Sequence, residues 1–402
     1  MEVIEIKNNI FWVGAVDNNL RHFHGYTFAT PNGSTYNSYL ILDEHPTLID
    51  GVWENFTDEW LVKIKSKIDV GKIENLIINH TEPDHSRSLP KFIELNSKIK
   101  IYGTRNCQQS LEKQYALKSL NFNVVKTGDE LQLGTKKLKF LEAPMIHWPD
   151  SMFTYCPEEK LLLSNDAFGQ HFASQQRFDT EVDLDKLKHE AMQYYANILW
   201  PFSNLISSKL KEVENLAWQI DMIAPSHGLI WKNPQTIIDL YGQWTKGATK
   251  ARAVIIFETM WGVTEIMANT FAQGLKEADI KVKVMDLNKF TKTEIITAMF
   301  EANGFMFGSS THDNGVLPNM AGFLHFLKGL KPTKRIGMAF SSFGWGAVAT
   351  GEIEKYMAET GINKAMEAIN IQFHPNEEEL KKCFETGKMF GEKIKTNLNS
   401  LA

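Results

Sequence analysis

His80-Thr81-Glu82-Pro83-Asp84-His85 puts four metal-binding side chains into six residues, directly behind the apolar run Leu76-Ile77-Ile78. The run reads as a buried strand, so the donors fall on the loop at its carboxyl end, where a sheet presents chemistry rather than packing. A lone histidine there would fit a hydrogen-bonded turn equally well; a cluster this dense argues for a metal site. Its mixture of imidazole and carboxylate suits harder, redox-active metals such as iron.

Further donors follow at wide intervals, each closing a short apolar run. His147 comes after Leu141-Glu-Ala-Pro-Met-Ile, Asp166 after Leu161-Leu-Leu-Ser-Asn, and His227 after Met222-Ile-Ala-Pro-Ser. With His80, Glu82, Asp84 and His85 they exceed what one ion of four to six ligands needs, which points to two metals sharing a ligand. Asp166 is the natural bridge, because a carboxylate has two oxygens to divide between ions.

The order H-x-E-x-D-H, then His, Asp and His, resembles the metallo-β-lactamase-type domain of the flavodiiron proteins, also called rubredoxin:oxygen oxidoreductases or A-type flavoproteins. The likeness extends through His147-Trp-Pro-Asp-Ser151, Ser164-Asn-Asp-Ala-Phe-Gly-Gln170 and Tyr194-Tyr-Ala-Asn197 and covers essentially the whole chain. It implies His80, Glu82 and His147 on one iron, Asp84, His85 and His227 on the other, and Asp166 between them. In some relatives water displaces the residue at the position of His85. The segment Arg21-His-Phe-His-Gly-Tyr26 lines the substrate pocket in that family, which makes His24 and Tyr195 the candidates for shaping it. His22, His45, His171, His189, His325 and His374 are read as surface or core residues.

The second half of the chain carries independent chemistry. Ala253-Val-Ile-Ile-Phe257 reads as a strand, and Glu258-Thr259-Met260-Trp261-Gly262-Val263-Thr264 leads from it into an amphipathic helix reaching about residue 277. A hydroxyl-bearing loop between strand and helix amino terminus is an anion site, since free N–H groups and the helix dipole face it. Two more loops leave strand-like runs: one with Ser310, Thr311, His312, Asp313, Asn314 and Gly315, the other with Ser342, Phe343, Gly344, Trp345 and Gly346. In a flavodoxin-like sheet of order 2-1-3-4-5 such loops converge at the switch point, where FMN binds. Trp261 and Trp345 offer flat aromatic faces to an isoalloxazine ring; closing a core is the other use for them. The chain departs from the family pattern at Val263, where a hydroxyl residue is common, at Ser310, where Pro is usual, and at Asp313, where Asn is usual. A missing hydroxyl at residue 263 removes a charge-assisted hydrogen bond to phosphate, on the order of 1.5–3 kcal/mol, so FMN is still expected to bind, though less tightly.

The expected architecture is α/β: a metallo-β-lactamase-like αββα sandwich over residues 1–250, with two sheets inside and helices outside, followed by a flavodoxin-like doubly wound parallel sheet over residues 251–402. Ile4 to Gly14 alternates like an edge hairpin, residues 58–67 read as a helix, and stretches near 183–198 and 204–220 read as outer helices. A chain of 402 residues suits two domains of these sizes.

Charge and cysteines exclude several partners. A net charge of −5 with interspersed signs gives no basic footprint for nucleic acid. Cys107, Cys156 and Cys383 are scattered, with no Cys-x-x-Cys pair for a fused rubredoxin iron site or disulfide framework. Electrons are therefore expected from a separate donor, a rubredoxin first and a reduced deazaflavin second. The acidic start Met1-Glu-Val-Ile-Glu-Ile and the lack of a long apolar run point to a cytoplasmic protein with no membrane contact.

Together these readings give an oxidoreductase that passes electrons from FMN to a non-haem diiron centre to reduce O2 to water, NO to N2O, or both. The family implies a head-to-tail homodimer or a dimer of dimers. A zinc hydrolase with an appended flavodoxin is the alternative; such hydrolases favour a second imidazole where this chain has Glu82. An electron-carrier module with a structural metal site is a third reading.

Overall fold

The computed structural model describes residues 2–117 and 120–401. The chain divides into two compact units, one of Met1–Phe23, Thr30–Tyr194 and Phe202–Lys246, the other of His24–Ala29, Tyr195–Pro201 and Gly247–Ala402.

In the first unit the period-two alternation of strands decides the layering. Ile10, Trp12, Tyr39, Ile41, Ile49 and Ile77 share one core, whereas the intervening Phe11, Leu40, Leu48 and Leu76 belong to another. A sheet that is apolar on both faces must be covered on both. Its seven strands run in the order Ile4–Lys7, Ile10–Trp12, Tyr39–Ile41, Thr47–Ile49, Asn75–Ile77, Lys100–Gly103 and Phe122–Val124. Pairing is antiparallel as far as Thr47–Ile49 and parallel beyond it.

The inner face meets a five-stranded sheet of Glu130–Gln132, Lys137–Glu142, Met152–Cys156, Leu161–Asn165 and Met222–Pro225. Phe140, Met152, Leu161, Leu163 and Met222 from that sheet complete the central core. On the other face of the seven-stranded sheet, helices Thr57–Lys65, Leu89–Leu95 and Arg105–Tyr115 insert Trp60, Phe92 and Leu111. Helices Ser203–Asn215 and Pro234–Thr245 flank the outward side chains Phe153, Leu162 and Ile223 of the five-stranded sheet. The result is the expected αββα sandwich.

The His80–His85 segment differs from its reading in one respect. Asp84 and His85 lie on a single helical turn, Pro83–Ser86, because Pro83 at its first position has the backbone angle a helix start requires.

The second unit is a six-stranded sheet in the order Lys281–Asp286, Lys250–Glu258, Ala302–Ser310 and Ile336–Phe343, with Asn363–Lys364 and Ile369–Gln372 each paired to Ile336–Phe343. Every pairing is parallel. Parallel strands are covered on both faces, which is why Ala253 to Phe257 is a continuous apolar run and wholly buried. The winding direction reverses between Lys250–Glu258 and Ala302–Ser310, the switch point of a doubly wound sheet. Among the described residues, no helix is long and apolar enough to cross a membrane.

Helices Val263–Glu277 and Glu377–Leu401 cross at glycines. A Cβ on Gly274 would stand 2.0 Å from the Phe384 carbonyl oxygen, and one on Gly387 would stand 2.3 Å from that of Phe271. Backbone sets this spacing, so no rotamer change relieves it. Gly274→Ala is expected to destabilise the protein by about 1–3 kcal/mol, despite alanine's better helix propensity, as a lower denaturant midpoint in urea unfolding.

Candidate metal centre

The seven predicted donors converge as two groups. His80, Glu82, His147 and Asp166 form one, and Asp84, His85 and His227 form the other; within each, the donor atoms lie within 4.8 Å of one another. Asp166 directs one oxygen to each. Its Oδ2 is 3.1 Å from His147 Nε2 and 3.5 Å from His80 Nε2. Its Oδ1 is 3.2 Å from His85 Nε2 and 3.6 Å from His227 Nε2. Glu82 Oε2 stands 3.3 Å from both His80 and His147, and Asp84 Oδ2 stands 3.3 Å from His85 and 3.1 Å from His227.

These spacings and the chemistry of the donors test the fit of metal ions. Donors placed about 2.1 Å from a common ion in tetrahedral or octahedral array are themselves about 3.0–3.4 Å apart, close to the separations observed. Both oxygens of Asp84 and Oδ2 of Asp166 are buried and make no hydrogen bond within the protein. Such carboxylate atoms are costly to bury unless a cation faces them. Four imidazoles and three carboxylates therefore fit two cations, one per group.

Electrostatics agree. Burial pushes the Asp166 carboxyl up, but the imidazoles of His85, His147 and His80 outweigh it and hold the group well below the usual carboxylate range. Burial likewise pulls His85 and His147 down, yet the carboxylates facing them raise each to about 9. His80 stands well above its ordinary value, where Asp150, Glu82 and Asp166 together overcome burial. The facing imidazoles and carboxylates thus favour one another's charged forms.

Supporting contacts orient the rings. Asp150 Oδ1 lies 3.2 Å from His80 Nδ1, and its Oδ2 accepts from the Thr81 N–H and hydroxyl, both at 2.7 Å. His227 Nδ1 donates to the Thr35 carbonyl at 2.6 Å. With Nδ1 so engaged, Nε2 of each ring is left to face the site. Ser226 Oγ donates to Asp166 Oδ1 at 2.7 Å. Around His227 stand the rings of His171, Phe23 and Tyr194, at centroid distances of 4.8, 5.8 and 6.1 Å.

Sequence reading missed several of these residues. Asp150 and Tyr194 lie inside quoted motifs but carried no role; His171, read as a surface or core residue, is buried beside His227. His24 is exposed at a left-handed position (φ 50°), in the chain between strands His22–Phe23 and Phe28–Ala29. Tyr195 is buried with its ring 5.4 Å from that of Phe300, whereas its neighbour Tyr194 is the tyrosine beside His227.

In the second unit the three predicted loops border a cleft of about 670 Å³ at the switch point. All the residues expected there line it except Glu258, Thr259, Gly262, Thr264 and Gly315; Phe373 joins them. Glu258 instead accepts from the Met320 N–H at the start of helix Pro318–Leu330. Thr264 lies beneath, its hydroxyl 3.1 Å from Ser310 Oγ and 2.9 Å from Ser342 Oγ. Ser310 also accepts from the Met260 N–H at 3.2 Å, so the serine found in place of Pro braces the loop. Gly262 takes φ 84° to turn the chain into helix Val263–Glu277, a conformation glycine adopts without steric penalty. Trp261 and Trp345 close no core: they are 86% and 97% exposed at the cleft. An anion-binding helix start beside two open aromatic faces fits a phosphorylated, planar cofactor.

In comparison with known proteins, residues 35–228 match the ODP family beta lactamase and residues 255–387 match Flavodoxin. A nitric oxide reductase of Moorella thermoacetica is 43% identical over 97% of this chain and 98% of its own. The rubredoxin oxygen:oxidoreductase of Desulfovibrio gigas superposes with a TM-score of 0.97 at 32% identity, covering 99% of this chain and 100% of that one. The flavodiiron protein of Giardia intestinalis gives 0.97 at 31% identity, covering 100% and 99%.

Asp150→Asn keeps the shape but removes the charge that holds His80. It is expected to lower metal affinity at least tenfold, read by chelator competition, with unchanged far-ultraviolet circular dichroism.

Proposed function

The chain belongs to the flavodiiron proteins, and on that premise we propose that it reduces O2, NO or both, with FMN and a non-haem diiron centre as its cofactors. The observation that carries this reading is the pair of His/carboxylate groups sharing Asp166, each oxygen turned to a different group. His80, Glu82 and His147 would hold one iron, Asp84, His85 and His227 the other, and Asp166 both. The loops with Met260, Trp261 and Val263, with 310–314, and with 342–346 would hold FMN. When bound, FMN supplies electrons singly or in pairs, and the iron pair supplies two adjacent redox-active Lewis acids for a diatomic molecule.

The protein's own groups act by position. Asp150 and the Thr35 carbonyl fix the rings of His80 and His227, so that imidazole nitrogens face the centre. Burial of His80, His85, Asp166 and His227 keeps bulk water from their donor atoms. The rings of Phe23, Tyr194 and His171 wall the side of His227. None of these groups needs to act as a nucleophile. Reduction of one O2 to two waters consumes four electrons and four protons; coupling of two NO to N2O and one water consumes two of each.

Both Glu82 and the oxidoreductase relatives disfavour the zinc-hydrolase alternative. A separate carrier, a rubredoxin first and a reduced deazaflavin second, would supply the electrons, in the cytoplasm. A head-to-tail homodimer, or a dimer of such dimers, would bring one protomer's FMN to its partner's diiron centre. Size-exclusion chromatography with light scattering is expected to give a dimer or tetramer mass; a fully active monomer overturns that assembly.

The decisive experiment determines iron and FMN content, reduces the protein photochemically without air, and follows consumption of O2 and of NO under the same electron supply. Iron with consumption of at least one gas is expected; zinc in its place, with neither gas consumed, overturns the reading. Asp166→Ala is expected to lose metal and gas reduction while retaining FMN.

A further inference from the structure

His227 stands on the loop after strand Met222–Pro225, and the chain between Ser34 and Tyr39 holds that loop in place. Three of its groups make simple contacts. The Asn37 N–H donates to the Ser226 carbonyl at 2.7 Å, the Tyr39 hydroxyl donates to the Pro225 carbonyl at 2.7 Å, and the Thr35 hydroxyl accepts from the Gly228 N–H at 2.6 Å. The carboxamide of Asn37 does more: its nitrogen lies 2.8 Å from the Pro225 carbonyl oxygen and 3.1 Å from that of Gly228. One side chain thus spans the histidine, gripping the chain two residues before it and one residue after it.

The chemistry of the contact calls for a carboxamide. Carbonyl oxygens only accept, so the group facing them is the NH2, with one hydrogen for each. The amide oxygen then points the other way, where the Trp12 indole N–H, which only donates, meets it at 2.8 Å. Trp12 is itself buried, with the Lys63 ammonium 4.7 Å and the Arg177 guanidinium 4.6 Å from its ring. Asn37 is fully buried, so loss of its side chain strands the indole N–H and takes the shared donor from both carbonyls. The other ligands are held by different means. Asp84 and His85 ride on the turn Pro83–Ser86, where the His85 carbonyl accepts from the Gly51 N–H at 2.9 Å and the Ser86 hydroxyl donates to the Glu82 carbonyl at 2.9 Å. His80, in the first group, faces Asp150.

We propose that Asn37 is a positioning residue for one of the two ions. By bracing Pro225 and Gly228 it keeps His227 Nε2 at 3.1 Å from Asp84 Oδ2, and so governs the affinity of the group Asp84, His85 and His227 while leaving that of His80, Glu82 and His147 to Asp150. The inference rests on the reading above that the seven donors hold two ions; it does not depend on which gas is reduced. Groups that orient a metal ligand without touching the metal contribute about ten- to a hundredfold in affinity, and here that contribution falls on one ion only.

The test uses the full-length protein, freed of metal and titrated with ferrous iron without air against a chromophoric chelator. Asn37→Leu keeps the size of the side chain and removes all three of its hydrogen bonds. The unsubstituted protein is expected to bind two ions; in Asn37→Leu the first is expected to bind as before and the second about ten- to a hundredfold more weakly. Diffraction at the iron absorption edge, from crystals grown at limiting iron, is expected to place the surviving ion among His80, Glu82 and His147. Asp150→Asn is expected to select the other way, leaving iron among Asp84, His85 and His227. Thr35→Val removes the hydroxyl that meets the Gly228 N–H but keeps the carbonyl beneath His227; it is expected to weaken the same ion as Asn37→Leu, and it decides the matter if the leucine variant does not fold. Equal weakening of both ions, or of neither, overturns the positioning role. An unsubstituted protein that takes up fewer than two ions overturns the two-ion reading and this role with it.

Discussion

A single carboxylate constrains the first unit. Asp166 is 1% exposed, and its two oxygens face different imidazole pairs. A buried carboxylate is tolerated only when opposite charge is close, and this one meets that condition on two sides at once. Both sets of histidines must therefore be held at fixed distance from one side chain. The scaffold supplies that rigidity by placing Asp166 immediately after strand Leu161–Asn165, His227 two residues after Met222–Pro225, and His80 three residues after Asn75–Ile77.

Holding the donors there requires unfavourable backbone. Asp50, Met145, Asn165 and Phe168 all have left-handed φ, between 52° and 68°, although none is glycine. Asn165 and Phe168 flank Asp166 closely, Met145 precedes His147, and Asp50 accepts two hydrogen bonds from Asn79, the residue before His80. Each such conformation costs on the order of 1–3 kcal/mol. The packed sandwich bears that cost, with both faces of the seven-stranded sheet covered by apolar side chains.

The second unit solves a different problem with opposite means. The metal centre buries polar atoms, whereas the cleft of the parallel sheet leaves large apolar rings open and buries hydroxyls beneath them. Thr264, Ser310 and Ser342 satisfy one another below the loop, which frees the backbone of the first helical turn for an anion. Val263 therefore offers no hydroxyl at the start of helix Val263–Glu277 but leaves the backbone N–H groups of that turn in place.

The amino-acid sequence by itself indicated the two fold types and picked out the seven side chains that the structure gathers into two groups. These are local properties: apolar period, strand length, and donors crowded at strand ends. It also marked most of the residues at the cleft, because glycine- and hydroxyl-rich loops after strands have few other uses. Only the tertiary structure decided which oxygen of Asp166 faces which group, that Tyr194 rather than Tyr195 stands by His227, and that His171 adjoins it. Neighbouring residues in one helix look alike in sequence yet point in different directions, so the choice between two tyrosines is a matter of helix rotation against the core. The contacts that orient the ligands join residues far apart in the chain, Asp150 with His80 across 70 positions and Thr35 with His227 across 192. No local pattern encodes such pairs, since they exist only once the two sheets are packed face to face.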